Sequence, residues 1–94
     1  MPSLHVRVTG KVQGVGFRWF VRENARRCEL AGWVANRPDG SVEVLASGHP
    51  DCVDRLRRAL LVGPDGARVD AIVELSEENG AEVDGLPFPF AVKR

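Results

Sequence analysis

A glycine-rich segment that ends in an arginine is the clearest candidate for chemistry in this sequence. Residues 10–18 read GKVQGVGFR, and no Ser, Thr, Asp or Asn lies between Gly10 and Phe17. Those residue types normally accept hydrogen bonds from the free N–H groups at the start of a helix. Gly14 and Gly16 permit positive φ, so successive amides can turn toward one anion at the positive end of the helix dipole. An anion there would take the place of the missing cap, which predicts a phosphate-sized site.

Arg18 and Asn36 are the side chains that could complete this site. Arg18 falls in the first turn of the predicted helix, and its guanidinium can hold two phosphate oxygens at once. Asn36 ends a predicted strand, and its carboxamide could orient a water molecule. From the residues alone, two other interpretations stay open. The glycines could merely allow close packing with Arg18 solvated, and Asn36 could initiate the turn at residues 38–40.

The elements that must position these residues follow from the hydrophobic pattern. Alternating apolar residues predict strands over 4–9, 30–37, 41–47, 69–75 and 88–92, the last an edge strand because it contains Pro89. A helix of about three turns begins at Phe17, and a second opens at residues 48–51 and ends at Gly63. The order is βαββαβ plus a C-terminal strand. It predicts a ferredoxin-like α+β sandwich, an antiparallel sheet with both helices on one face. The first two strands then point the same way and bring Asn36 to the rim that carries the glycine-rich segment.

Composition excludes several functions. The 94 residues predict one domain over residues 1–94, and 13 acidic residues balance 13 basic ones. A general electrostatic grip on nucleic acid or an anionic membrane is therefore not expected. No segment approaches the roughly 20 apolar residues of a membrane span. The first residues contain no apolar signal segment, so we expect a cytoplasmic protein.

The supply of metal-binding side chains is small. His5 and His49 are the only histidines, and Cys28 and Cys52 are the only cysteines. Because they form no paired motif, we expect no metal and no cofactor. Reduced cysteines are the favoured interpretation, although a single bridge between them stays open.

Three segments of the sequence resemble the acylphosphatase family: residues 10–18, 32–36 (GWVAN) and 39–43 (DGSVE). The resemblance extends over nearly the whole chain. It implies metal-independent hydrolysis of the carboxyl–phosphate bond of small acyl phosphates, with inorganic phosphate as product. It also implies that Arg18 binds the phosphate, that Asn36 positions the water, and that a cradle forms from the amides of Gln13, Gly14, Val15, Gly16, Phe17 and Arg18. The alternative is a non-catalytic, regulatory anion-binding module on the same fold.

The remaining polar and aromatic positions receive structural interpretations. Trp19, next to Arg18, could cover the acyl group of a substrate, but a partly exposed helix aromatic is the favoured interpretation. Arg37 could aid the binding of an anionic substrate, but a solvated charge is favoured. His5 is expected on a strand surface and His49 at a helix start. The acidic stretch over residues 76–87 is predicted to be a solvated loop. We expect the chain to act as a monomer.

Overall fold

The computed structural model describes residues 3–75 and 85–93. Its elements are β1 (Ser3–Lys11), α1 (Phe17–Arg27), β2 (Ala31–Asn36), β3 (Val42–Ser47), α2 (Pro50–Val62), β4 (Arg68–Glu74) and β5 (Ala91–Lys93). The predicted βαββαβ order with a further C-terminal strand is confirmed, and the chain has the ferredoxin-like fold. Of the acidic stretch over residues 76–87, residues 76–84 lie outside the described residues. In the part of the chain that is described, no helix is long and apolar enough to cross a membrane.

The strands form one sheet in the order β4-β1-β3-β2-β5. The first four strands pair antiparallel, as predicted, but β5 pairs parallel with β2. The sheet is therefore mixed: the four strands of the βαββαβ unit are antiparallel as predicted, and the additional edge strand, for which the sequence predicted no direction, adds one parallel pair. Strand β4 runs antiparallel to β1 and so ends at the end of the sheet where β1 and β2 begin. Strand β5, which follows β4 in the chain, starts from that same end and therefore runs in the same direction as β2.

One face of the sheet is covered by both helices, which contact each other. Alternate residues of β1 point toward them, as the strand period requires. The helices contribute stripes spaced three and four residues apart. The buried residues that β1, α1 and α2 contribute to the core are Leu4, Val6 and Val8 from β1, Phe17, Val21 and Ala25 from α1, and Val53, Leu56 and Leu60 from α2.

The alternating apolar residues of β4, Val69, Ala71 and Val73, do not all lie on the face that packs against the helices. Val69 and Ile72 pack against the core, whereas Ala71 and Val73 are exposed. The ladder with β1 skips Asp70, where a bulge shifts the register. An extra residue in one strand reverses which side chains face the core.

The last strand is shorter than its apolar pattern suggests. Phe88 is exposed and Phe90 is fully buried, but both precede β5. Only residues 91–93 join the ladder with β2. The alternation over residues 88–92 therefore includes two residues outside the strand, the exposed Phe88 and the buried Phe90, in addition to Val92 of β5.

Candidate active site

The segment between β1 and α1 has the backbone that its glycines predict. Gly14 and Gly16 have φ values of 75° and 78°, in the left-handed region. Gly16 is the N-cap of α1 and forms no side-chain cap hydrogen bond, and the first turn holds no acidic residue. The helix therefore begins with amides that have no intrahelical acceptor. A Cβ added at either glycine would meet nothing within 4 Å, so these glycines serve backbone conformation, and the close-packing interpretation is wrong.

Gln13 joins this segment to the turn after β2. Its Nε2 donates to the carbonyl oxygen of Arg37 at 2.7 Å and to that of Ser41 at 2.9 Å. The Gln13 side chain therefore links the glycine-rich segment to the turn between β2 and β3; we call this pair of hydrogen bonds the Gln13 clip. Only its backbone amide is left for the predicted cradle.

An open cleft of about 270 Å³ lies where the segment, α1 and the β2–β5 edge meet. Its lining residues are Val12, Gly14, Gly16, Phe17, Arg18, Trp19, Arg22, Asn36 and Val92. Five of the predicted site residues are thus brought together: Gly14, Gly16, Phe17, Arg18 and Asn36. Gln13 and Val15 are not in the lining, since Gln13 reaches the turn and Val15 packs partly against the core.

The two predicted functional side chains have no partner in the part of the chain that the structure describes. Within residues 3–75 and 85–93, neither the Arg18 guanidinium nor the Asn36 carboxamide has a hydrogen-bond or ion-pair partner. An unneutralised guanidinium beside uncapped helix amides favours the binding of an anion. A free carboxamide at the same cleft can hold a water molecule, because it offers both donors and an acceptor.

Asn36 does not initiate the turn that follows it. Asp39 has that role, since its Oδ1 accepts from the Ser41 amide at 2.9 Å and from the Ser41 hydroxyl at 2.5 Å. These hydrogen bonds lower the pKa of the exposed Asp39 carboxyl. The Arg37 amide closes the turn by donating to the Ser41 carbonyl at 2.8 Å. The turn interpretation of Asn36 is therefore wrong.

Arg37 and His5 differ from their predicted environments. Both contact Glu43 on the sheet face opposite the helices: Arg37 through a hydrogen-bonded ion pair, and His5 through Nε2 at 2.6 Å from the carboxylate. Arg37 is half-exposed but paired rather than simply solvated, and the His5 side chain is mostly buried. Burial disfavours the charged Glu43 carboxylate, but hydrogen bonds from His5 and Arg37 outweigh it and lower its pKa.

Three cleft residues were not assigned to the site from the sequence: Trp19, Arg22 and Val92. Trp19 is 61% exposed, as expected for a partly exposed helix aromatic, yet it also borders the cleft. The spacing of Arg22, four residues after Arg18, places it on the same side of the helix. That spacing could have found Arg22, whereas Val92 depends on the position of β5.

The histidine and cysteine positions fit structural roles. His49 is the N-cap of α2, where Nδ1 accepts from the Asp51 amide at 3.2 Å. Cys28 and Cys52 are free, and a hydrogen bond with Cys28 raises the pKa of the Cys52 thiol. Among the residues described, no group of three or more His, Cys, Asp or Glu could hold a metal ion.

The fold and cleft define a small ferredoxin-like α+β domain with an arginine-lined rim site. The family model for acylphosphatase matches residues 4–85. An acylphosphatase from Alcanivorax borkumensis is 47% identical over 85 residues, which cover 90% of each chain. The chain therefore belongs to the acylphosphatase family of hydrolases.

Solved structures agree with this assignment. The crystal structure of acylphosphatase from Bacillus subtilis has a TM-score of 0.87 and 36% identity, with 100% of both chains covered. The structure of T. kodakarensis HypF has a TM-score of 0.80 and 29% identity, covering 99% of this chain but 12% of that much longer one. The fold of this chain is thus found both alone and within a larger protein.

Proposed function

We propose that this member of the acylphosphatase family hydrolyses the carboxyl–phosphate bond of small acyl phosphates without a metal or cofactor, and releases a carboxylate and inorganic phosphate. The observation that carries the proposal is the single cleft lined by Gly14, Gly16, Arg18 and Asn36. It joins an uncapped helix start to a guanidinium and a carboxamide that have no partner among the described residues. Each of these groups has one part of the reaction to perform.

The phosphate is held by the helix start and by Arg18. The amides of residues 13–18 donate to its oxygens, and Arg18 holds two oxygens through its planar guanidinium. Both groups also stabilise the negative charge on the equatorial oxygens in the transition state. The positive φ values of Gly14 and Gly16 support this arrangement, because they allow neighbouring amides to converge.

Asn36 orients the attacking water in line with the departing carboxylate. A carboxamide is a poor base, so a phosphate oxygen of the substrate takes the proton of the water. The departing group is a carboxylate whose conjugate acid has a pKa of about 4, so it leaves at neutral pH without a general acid. Backbone amides, one arginine and one asparagine are therefore sufficient to hydrolyse the carboxyl–phosphate bond.

Hydrolysis of benzoyl phosphate in the presence of EDTA tests the proposal. A phosphate monoester such as phenyl phosphate serves as the comparison, because its leaving group needs far more assistance. We expect rapid release of phosphate from benzoyl phosphate alone. If phosphate binds but benzoyl phosphate is not hydrolysed, the chain is instead a non-catalytic anion-binding module. Loss of activity in EDTA would contradict metal independence.

Variants of Asn36 and Arg18 separate the two roles. Asn36→Ala should lower kcat by about 10²-fold or more, because the water loses its orientation, while phosphate still inhibits competitively. Arg18→Lys keeps the charge but replaces a planar fork with a point donor, so both kcat and phosphate binding should fall. Wild-type turnover in Asn36→Ala, or normal kinetics in Arg18→Lys, would contradict the assigned role.

We also propose that residues 1–94 act as one monomeric domain in the cytoplasm. The groups that the proposed reaction needs, Arg18, Asn36 and the amides of residues 13–18, are all supplied by a single cleft and the β1–α1 segment that borders it, so the reaction requires no second subunit. The free cysteines suit a reducing compartment. Size-exclusion chromatography with light scattering measures the mass in solution. A dimer that persists at micromolar concentration would contradict the monomer.

A further inference from the structure

The cleft is larger than its phosphate-binding end. It extends from Gly14, Gly16 and Arg18 to a second region lined by Trp19, Arg22 and Val92. Its volume of about 270 Å³ is near the lower limit of about 300 Å³ for small-ligand pockets. The cleft thus suits a phosphate joined to a small acyl group.

The topology separates the two regions. Helix α1 runs back along β2, and Arg22 lies four residues, or about 6 Å along the helix axis, beyond Arg18. Val92 pairs with Val34, two residues before Asn36 in β2. Arg22 and Val92 therefore both lie behind the rim, where the group attached to the phosphate can extend.

Arg22 gives this second region a positive charge. Its guanidinium lies 3.2 Å from the carboxylate of Glu23, and the side chains are 32% and 36% exposed. An ion pair between neighbouring, partly exposed residues is weak. A negatively charged ligand can therefore compete with Glu23 for the Arg22 guanidinium.

From this geometry we propose that Trp19, Arg22 and Val92 form an acyl subsite that favours acyl phosphates with a second negative charge on the acyl group. Arg22 pairs with that charge, while Trp19 and Val92 contact the carbon skeleton. This inference rests on the proposed function, because the phosphate end of the substrate must occupy the Arg18 end of the cleft. Arg22 is a specificity-determining residue, and the chemical step remains with Arg18 and Asn36.

The test compares two substrates that differ in one charge, benzoyl phosphate and 4-carboxybenzoyl phosphate. The measured quantity is the ratio of their kcat/KM values, from which differences in intrinsic reactivity cancel when variants are compared. Arg22→Gln should lower the preference for the carboxylated substrate by about two- to fivefold, as expected for loss of one partly exposed charge contact. Arg22→Lys should keep most of the preference. Glu23→Gln should raise it, because the guanidinium loses its competitor.

Arg27→Gln is the matched control, because it removes the same charge from an exposed position of α1 outside the cleft. An equal change in Arg22→Gln and Arg27→Gln would show a general field effect and overturn the proposal. An unchanged ratio in Arg22→Gln would also overturn it. If Arg22→Gln fails to fold by circular dichroism, Glu23→Gln decides, and a ratio that does not rise refutes the subsite. If the wild-type protein hydrolyses neither substrate, the proposed function itself has failed.

Discussion

Replacing Gln13 with methionine should lower both stability and turnover, although Gln13 does not line the cleft. The substitution keeps an unbranched side chain of similar length but removes both hydrogen bonds of Nε2, at 2.7 Å and 2.9 Å. These bonds connect the segment before α1 to the turn after β2. They form a side-chain link between the amides of the proposed phosphate cradle and the strand that ends in Asn36.

The two carbonyl acceptors limit the loss of stability. The Arg37 carbonyl also accepts from the Gly40 amide at 3.1 Å, and the Ser41 carbonyl accepts from the Arg37 amide at 2.8 Å. Neither acceptor is left unsatisfied in the variant, so only the net value of about 0.5–1.5 kcal/mol per bond is lost. Gln13→Met removes two such bonds and should therefore lower the free energy of unfolding by about 1–3 kcal/mol. For a domain of this size, each kcal/mol corresponds to about 4–8 °C in Tm.

Turnover should fall further than stability suggests, because a displacement of about 1 Å in a reacting group can cost about 10²-fold. We expect kcat for benzoyl phosphate to fall about 10- to 100-fold. Differential scanning calorimetry and steady-state kinetics measure the two effects, and Lys11→Met, at an exposed position of β1, is the control. A lowered Tm with wild-type kcat would show that the clip only stabilises the fold. An unchanged Tm would refute the energetic value assigned to the hydrogen bonds.

The remaining predictions concern stability, each measured by urea unfolding. Burial raises the pKa of Glu43, but hydrogen bonds from His5 and Arg37 to its carboxylate outweigh this effect and lower the pKa below 4.5. The ionised Glu43 carboxylate therefore contributes its full stabilisation above pH 4.5, and this stabilisation is lost as the pH falls through the lowered pKa. Glu43→Gln should flatten this acid dependence, and an unchanged pH profile would contradict the pairing. Gly14→Ala should cost about 1–2 kcal/mol through its positive φ alone, since the added methyl meets open space. Gly32→Ala places a Cβ 1.9 Å from a strand carbonyl and should cost more than about 4 kcal/mol; equal losses in the two glycine variants would refute this contrast.

The glycine segment and Asn36 could be placed from sequence because local rules decide them. A helix start without a capping side chain restricts what can satisfy its amides, and two glycines allow the required backbone. Asn36 needed one step more, the topology of a βαβ unit, which sends the first two strands in the same direction. The helix-start argument and the topology argument both depend on strong periodic patterns. An error of one or two residues in a strand boundary therefore leaves the glycine segment and Asn36 at the same end of the sheet.

Residues whose environment depends on neighbouring strands could not be placed in this way. His5 stands opposite Leu45, and Arg7 stands opposite Glu43, so the contact of His5 with Glu43 is diagonal and requires the exact register. A one-residue shift would send these side chains to the other face of the sheet. The bulge at Asp70 causes such a reversal in β4, where Val69 and Ile72 pack against the core while Ala71 and Val73, which continue the alternation from Val69, are exposed.

The spacing of Arg22 can be read from the sequence, but its proposed role depends on the neighbouring strand β5. Its spacing from Arg18 fits the solvated side of an amphipathic helix as well as it fits a binding cleft. The difference comes from β5, whose parallel pairing with β2 brings Val92 to the cleft that Arg22 also lines. Without that edge strand, no opposite wall would lie beyond the phosphate end and Arg22 would remain a surface charge. The proposed acyl subsite therefore depends on the edge of the sheet, whereas the proposed phosphate site depends on the segment between β1 and α1.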